Sequence, residues 1–264
     1  MMSFEKQYYF IAGLPRSGST LLSTILSQNP QIHSSITTPV LPLFRSVYDV
    51  LGNDDEYSTL VSDKSKERLL KGVFDNYYSD TNKSIVFDTN RLWPNTYYAV
   101  KKLFPYTKII LTVRDIPWIM DSFEQARNKN PLNLSSVFPK EHDYNVYTRA
   151  DSLMRENGII YNAYFATKTL CYSALSSDIL LVDYDELAKD PQKIMQQIYS
   201  FTNIRHYEHD FSNVGNSFNE YDVKLGFHNL HTTKPKVEYT PRRSVLPPEI
   251  WDKYTGMEFW KPNQ

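Results

Sequence analysis

Residues 13–20, with the sequence GLPRSGST, are the strongest candidate for a chemical site in this chain. They join an apolar run at 8–12 to a helical pattern that follows. A turn between a strand and a helix presents unpaired backbone N–H groups and the positive end of the helix dipole, and both bind anions. The residues that could contact such an anion are Arg16, Ser17, Gly18, Ser19 and Thr20.

The spacing of Gly13 and Gly18 matches the phosphate loop of nucleotide-binding proteins, but one residue type differs. Ser19 stands where nucleoside triphosphatases carry lysine, and the cation of this loop is Arg16 instead. An enzyme that cleaves a triphosphate needs that lysine and a magnesium-binding carboxylate. The loop therefore favours a phosphate-binding site and counts against a kinase or ATPase, and the alternative is an ordinary strand-to-helix turn.

A second candidate follows the apolar run of the sequence IILTVRD at 109–115. Arg114 stands where this predicted strand ends, and a guanidinium there can bind a phosphate with two hydrogen bonds. Ser122 lies two turns along the next predicted helix and can face the same pocket. Taken alone, Arg114 and Asp115 are more typical of a structural salt bridge.

The third candidate is the sequence LLVDYDEL at 180–187, which Asp190, Pro191 and another helical pattern follow. Tyr184 comes directly after a predicted strand. Its ring can lie against a purine, or it can pack at the edge of the sheet. The residue types alone leave both readings open.

The elements that must position these residues alternate between strand and helix. Because the strand-like runs are continuously apolar, they are typical of a parallel sheet with helices on both faces. We predict an α/β fold: a three-layer sandwich with a central, mostly parallel sheet and the phosphate-binding loop after the first strand. The predicted strands are 8–12, 85–87, 108–113 and 178–182. The predicted helices are 18–28, 40–51, 63–78, 95–104, 116–127, 148–177 and 191–203. The helix over 148–177 contains Gly158, so two shorter helices are the alternative there.

The chain's 264 residues suit a single domain over 1–264, without repeats or low-complexity linkers. Beyond residue 211 periodicity is weak, and we expect 211–264 to be a loop-rich segment that covers the ligand. From residue 223 to the end, seven Lys and Arg oppose four Asp and Glu, which suits an anionic ligand or a solvated surface. Lys234 is a candidate contact there.

Composition excludes several classes of protein. The 29 Lys and Arg against 30 Asp and Glu leave a net charge of −1, so no nucleic-acid partner is expected. No apolar stretch reaches the length of a membrane span. Cys171 is the single cysteine, so neither an internal disulfide nor a cysteine metal cluster is expected. Without a leader-like N-terminus, we expect a cytoplasmic protein.

Together the three motifs resemble the sulfotransferases that use 3'-phosphoadenosine 5'-phosphosulfate (PAPS). The PRSGST turn is similar to their 5'-phosphosulfate loop, in the arginine-bearing form of tyrosylprotein sulfotransferases and many bacterial members. The segment with Arg114 and Ser122 is similar to their 3'-phosphate segment. The segment with Tyr184 is similar to one whose tyrosine lies near the adenine, although Asp185 and Glu186 here stand in reversed order. The resemblance covers residues 8 to about 203.

The resemblance implies transfer of a sulfuryl group from PAPS, as co-substrate, to a hydroxyl or amine of an acceptor. Adenosine 3',5'-bisphosphate (PAP) would be released, and no metal is implied. Arg16 and the loop amides would neutralise charge on the departing oxygen. By analogy with late basic loops in the family, Lys234, Lys236 or Arg242 would contact the 3'-phosphate.

The catalytic base departs from the family's pattern. Tyrosylprotein sulfotransferases carry a glutamate after the first helix, whereas residues 29–39 here contain no carboxylate. His33 is the ordinary base in that segment, unless it only caps or fills the loop. Asp88 ends a predicted strand on the same side as the phosphate loop. We favour Asp88 as the base, although it could instead pair with Arg91.

Two other functions stay open. A nucleotide or small-molecule kinase of related fold would need a donor lysine and a magnesium carboxylate that the sequence does not place. A nucleotide-binding protein without activity would explain the missing glutamate. The acceptor, whether a small molecule, a glycan or a peptide, and the oligomeric state do not follow from the sequence.

Overall fold

The computed structural model describes residues 6–52 and 56–261. Within them, five strands form one parallel sheet in the order β2-β3-β1-β4-β5. This confirms the predicted α/β fold with a central parallel sheet. The strands are β1 (Gln7–Gly13), β2 (Ile32–Ser34), β3 (Ile85–Thr89), β4 (Ile109–Val113) and β5 (Ile179–Asp183).

Helices flank the sheet and follow the predicted pattern in most places. They are α1 (Ser19–Leu26), α2 (Val40–Gly52), α3 (Glu56–Thr59), α4 (Asp63–Tyr77), α5 (Tyr97–Leu103), α6 (Ile116–Lys129), α7 (Val146–Met154), α8 (Ile159–Cys171), α9 (Tyr184–Lys189), α10 (Pro191–Thr202), α11 (Asn219–Lys224) and α12 (Pro248–Tyr254). None of these has the length and apolar composition needed to cross a membrane.

The predicted helix over 148–177 is two helices. Gly158 separates α7 from α8, and a Cβ on it would lie 2.4 Å from the carbonyl oxygen of Leu153. The chain turns sharply there because only glycine permits so close a backbone approach. Strand β2 and helices α3, α9, α11 and α12 were not predicted, since each is too short to show a clear period. The single-domain organisation stays a prediction.

The central strand β1 shows why the sheet is buried on both faces. Phe10 packs in one core cluster with Phe74 and Trp93, while its neighbour Ile11 packs in another with Leu22. Alternate residues thus enter separate apolar layers, so the whole strand is apolar, as expected when helices cover both faces.

The end of β1 approaches the end of β4 closely. Gly13 pairs with Thr112 and has a φ of +110°. The next amide, of Leu14, donates to the Thr112 carbonyl at 2.8 Å. A Cβ on Gly13 would lie 2.1 Å from that same oxygen. Glycine at this position therefore lets the chain leave the sheet and form the loop at 13–20.

Replacing Gly13 with alanine tests this constraint. We expect Gly13→Ala to lower the free energy of unfolding by about 3 kcal/mol or more, because the clash adds to the strained dihedral. Gly256→Ala is the matched control: its φ is +84° but nothing lies within 4 Å of its Cβ position. It should lose only about 1–2 kcal/mol. Urea unfolding of both variants checks this, and equal losses would contradict it.

Candidate active site

A cavity of about 1020 Å³ opens at the carboxyl ends of the strands, where parallel sheets bind their ligands. Its lining includes Gly13 at the end of β1, Thr89 at the end of β3 and Arg114 after β4. Among the described residues that line it, Glu238 is the single acidic residue. The lining cations are Arg16, Arg91, Arg114, Lys129, Arg155, Lys234, Lys236 and Arg242. Although the net charge of the chain is close to zero, the cavity is strongly positive, which suits an anionic ligand.

The loop at 13–20 lines this cavity and ends at helix α1. Gly18 is the N-cap of α1 with a φ of +93°, and its carbonyl accepts the Leu22 amide at 2.9 Å. The amides of the preceding turn have no helix carbonyl to bind, so they are available to an anion. Ser19 and Thr20 line the cavity beside them.

Ser17 differs from the other predicted contacts of the loop. Its side chain is fully buried, and its hydroxyl bonds to the Leu14 carbonyl at 2.5 Å and the Thr112 hydroxyl at 2.7 Å. Ser17 is also absent from the cavity lining. This hydroxyl therefore anchors the loop to β4, and the predicted contact of Ser17 with the ligand stays a prediction.

Arg16 stands within the loop and has a φ of +58°. Its Nε donates to the Ser122 hydroxyl at 3.0 Å, and its Nη1 donates to the Leu230 carbonyl. Burial, and then repulsion from Arg114, lowers the pKa of Arg16 to about 10. The guanidinium is still charged at neutral pH, but its burial beside another cation is unfavourable, and a bound anion would relieve that.

Arg114 lies beside the loop and against an aromatic ring. Its guanidinium carbon lies 4.2 Å from the centre of the Tyr184 ring. That ring also packs against Gly18, where a Cβ would approach its Cδ2 to 2.7 Å. Among the residues that the structure describes, the buried Nε of Arg114 has no hydrogen-bond partner. An unpaired buried donor on a cation is suited to an incoming phosphate oxygen.

Arg242 reaches the same cavity from the C-terminal segment. It pairs with Asp121 of α6, and its guanidinium lies 4.8 Å from the Trp118 ring. Asp121 is fully buried and also accepts the Val245 amide at 2.7 Å. This carboxylate therefore anchors the C-terminal segment on α6. Sequence reasoning missed Asp121, since its partners lie some 120 residues away.

Lys234 lies at the rim of the cavity. Its side chain is 65% exposed, with the Nζ 3.6 Å from Glu238 and 3.3 Å from the Thr240 hydroxyl. The two other basic candidates of this segment, Lys236 and Arg242, line the cavity as well. The predicted contact between Lys234 and the ligand stays a prediction.

Asp88 does not line the cavity in the described part of the chain. It is fully buried and accepts hydrogen bonds from Thr38 at 2.6 Å, Tyr78 at 2.5 Å and the Trp93 indole at 2.6 Å. Burial raises the pKa of this carboxyl, although the three donors oppose the rise. This position does not support the predicted catalytic base at Asp88, because its oxygens face a polar cluster inside the protein, and the described residues that bond to it do not include Arg91.

His33 also lies outside the cavity lining that the described residues form. It stands on β2, and its ring packs edge to face against Tyr78 with the ring centres 5.3 Å apart. Burial and then Lys83 lower the pKa of His33. The predicted role of His33 as a base is not supported by this position.

His231 lines the cavity, and the sequence did not reveal its partner. The carboxylate of Asp222, in α11, is fully buried and lies 2.5 Å from the Nδ1 of His231. Among the described residues, no three His, Cys, Asp or Glu side chains lie close enough together to bind a metal ion.

Comparison with known proteins adds to this geometry. A family model described as "Sulfotransferase family" matches residues 9–209. The chain belongs to the sulfotransferase family. This match confirms the family that the three motifs indicated, and it supports the predicted class of enzyme over the kinase alternative.

Similar proteins include a curated relative and several solved structures. Protein-tyrosine sulfotransferase 1 of Danio rerio is 27% identical over 208 residues, which are 74% of this chain and 52% of the relative. The chain therefore spans about half the length of that relative. A sulfotransferase of Alicyclobacillus acidocaldarius is 15% identical, with a TM-score of 0.53 over 83% of this chain and 90% of its own. The sulfotransferase domain from the curacin biosynthetic pathway is 16% identical, with a TM-score of 0.51 over 98% and 94%. Both structures share the fold.

Removing the Asp88 carboxylate distinguishes a structural role from a catalytic one. We expect Asp88→Ala to lower the free energy of unfolding by about 3–5 kcal/mol, because three buried donors lose their acceptor. The control Asp75→Ala loses one bond from Tyr8 at an exposed site and should cost about 1 kcal/mol. Urea unfolding measures both. Near-normal stability combined with lost turnover would restore Asp88 as the base.

Proposed function

We propose that this chain transfers a sulfuryl group from PAPS to a hydroxyl or amine of an acceptor and releases PAP. One observation carries the proposal: two half-buried arginines, Arg16 and Arg114, lie close together beside the N-terminus of α1. They line a cavity whose charged residues, apart from Glu238, are all cations. PAPS carries anionic groups at both its 5' and 3' ends, so it matches two adjacent cationic sites.

The 5'-phosphosulfate is assigned to the loop at 13–20. The amides at the start of α1, the hydroxyls of Ser19 and Thr20 and the guanidinium of Arg16 supply donors around one point. Gly18 permits close approach because a side chain there would meet the Tyr184 ring. Ser17 supports the loop from below through its bond to Thr112.

The 3'-phosphate is assigned to Arg114 and Ser122. The unpartnered Nε of Arg114 supplies a donor, and the Ser122 hydroxyl lies 3.0 Å from the Nε of Arg16, which joins the two phosphate sites. Tyr184 holds the Arg114 guanidinium and offers an aromatic face near the nucleotide. A retinol dehydratase of the same fold, with a TM-score of 0.50, is bound to retinol and PAP.

The chemistry needs an in-line arrangement of acceptor oxygen, sulfur and departing oxygen. The acceptor oxygen forms a bond to sulfur while the bond from sulfur to the bridging oxygen breaks. The electron pair of that bond stays on the 5'-phosphate of PAP. Arg16 and the loop amides face the site of this growing charge, and stabilising it there lowers the barrier.

The acceptor is proposed to be a phenol or another hydroxyl, including that of a peptide tyrosine. The zebrafish relative is named as a protein-tyrosine sulfotransferase, and a cavity of about 1020 Å³ has room for an acceptor besides the donor. A kinase is less favoured, since Ser19 stands at the lysine position that binds the β- and γ-phosphates.

Ligand-dependent thermal stability tests the donor site. PAP should raise the melting temperature of the wild type well above the effect of ADP or of ATP with magnesium, because a ligand of the native state stabilises it by mass action. Arg114→Met should weaken PAP binding by about 10-fold or more. Arg45→Met, on the exposed face of α2, is the matched control and should bind PAP normally.

A response confined to ATP with magnesium would contradict the proposed function and favour a kinase. Equal PAP affinity in Arg114→Met and the wild type would leave PAP binding intact and refute the 3'-phosphate assignment.

Turnover tests the role of Arg16 separately. Arg16→Met should lower kcat for PAP release from PAPS by about 10²-fold or more, since it removes a donor that faces the developing charge. Arg16→Lys keeps the charge but not the forked geometry, and an intermediate loss is expected. Unchanged turnover in Arg16→Met would refute charge stabilisation by this residue.

A further inference from the structure

His231 and Asp222 form a pair at the wall of the cavity. The Asp222 carboxylate is fully buried and accepts two hydrogen bonds from the same residue. The backbone amide of His231 lies 2.8 Å from Oδ2, and its ring Nδ1 lies 2.5 Å from Oδ1. The ring is thus held from two directions. With Nδ1 as the donor to the carboxylate, the lone pair of the neutral imidazole is on Nε2.

The backbone around the pair is fixed by contacts to the rest of the site. The residue before His231 is Leu230, whose carbonyl accepts a hydrogen bond from Arg16. Further back, the His228 amide donates to the Asn130 side chain at 3.1 Å, and Gly226 lies directly against the Leu134 carbonyl. The phosphate loop and the His231 ring are therefore held within one connected framework.

The groups that face the His231 ring keep it neutral. Burial lowers its pKa, and the positive charges of Arg16 and Arg91 lower it further, while Asp222 opposes both. The Tyr221 ring lies 5.4 Å away, centre to centre. Within residues 6–52 and 56–261, Nε2 has no hydrogen-bond partner, and His231 lines the cavity. A neutral imidazole with a free lone pair is what a general base requires.

We infer that His231 is the general base that takes the acceptor's proton and that Asp222 is the positioning residue that holds it. This inference rests on the proposed function. The acceptor O–H proton passes to Nε2 as the acceptor oxygen forms its bond to sulfur. The bond from sulfur to the bridging oxygen breaks, and its electron pair remains on PAP. The resulting imidazolium is stabilised by the Asp222 carboxylate and later releases its proton to solvent.

This assignment supplies the base that the other candidates do not. Asp88 is enclosed by three donors, and His33 stands outside the cavity lining. The pair could also serve only to fasten the C-terminal segment, as the Asp121 pair with Arg242 does. A structural fastening and a base differ in their dependence on pH and on the acidity of the acceptor.

The test compares His231→Gln with the wild type and with His206→Gln, an exposed histidine outside the cavity lining. PAP release from PAPS is measured with tyramine, with the more acidic 4-nitrophenol and with water alone. With tyramine we expect His231→Gln to lose about 10²–10⁴-fold in kcat. The loss should be smaller with 4-nitrophenol, because this phenol ionises near neutral pH and depends less on a base, and His206→Gln should match the wild type.

Two readouts separate catalysis from folding. PAP affinity should change little in His231→Gln. In the wild type, kcat should fall at low pH as His231 becomes protonated, at a pH below the ordinary histidine pKa of about 6.5. In His231→Gln, this fall in kcat should be absent. In Asp222→Asn the fall should move to lower pH, because the carboxylate that favours the imidazolium is gone. Nitrogen NMR of the wild type should show the proton on Nδ1.

If the wild type turns over and His231→Gln has the same activity, the inference is overturned and the proposed function stands. An equal loss with both phenols, or a proton on Nε2, would also overturn it. Absence of both PAP binding and PAP release in the wild type would overturn the proposed function and this inference with it.

Discussion

The site depends on one close contact, where the chain leaves β1 and meets Thr112 at the end of β4. The Thr112 carbonyl accepts the Leu14 amide at 2.8 Å, and its hydroxyl lies 2.7 Å from that of Ser17. Gly13 makes the approach feasible, since any Cβ would strike the same carbonyl. Because parallel strands end at the same edge, this contact brings the loop at 13–20 beside Arg114, the second residue after Thr112.

Electrostatics then explains why the cavity suits an anion. Arg16 and Arg114 are half-buried near each other, and their partial burial lowers the pKa of both. Neutral partners offset part of the cost of removing these charges from water: a carbonyl contacts Arg16, and an aromatic ring contacts Arg114. Neither neutralises the charge, so a ligand with two separated anionic groups gains from both positions. Arg242 differs, because buried Asp121 already pairs with it and thereby ties the C-terminal segment to α6.

Sequence reasoning succeeded where the signal was local. The loop, the strand that leads to Arg114 and the order of strands and helices all follow from contiguous patterns, and the structure and the family match confirm the fold and the family. It did not foresee the surroundings of Asp88, because the three donors that enclose this carboxylate come from Thr38, Tyr78 and Trp93, on separate segments. It did not find Asp222 as a partner of His231, since no pattern predicts how α11 turns back on the segment that follows it.

A crystal structure of the protein with PAP measures the central claim most directly. The account predicts the 5'-phosphate on the first-turn amides of α1 and on Arg16, and the 3'-phosphate within hydrogen-bond distance of Arg114 and Ser122. It also predicts that His231 Nε2 faces the space beyond the 5'-phosphate, where sulfur and the acceptor would meet. PAP bound away from the loop at 13–20, or with its 3'-phosphate away from Arg114, would contradict the account.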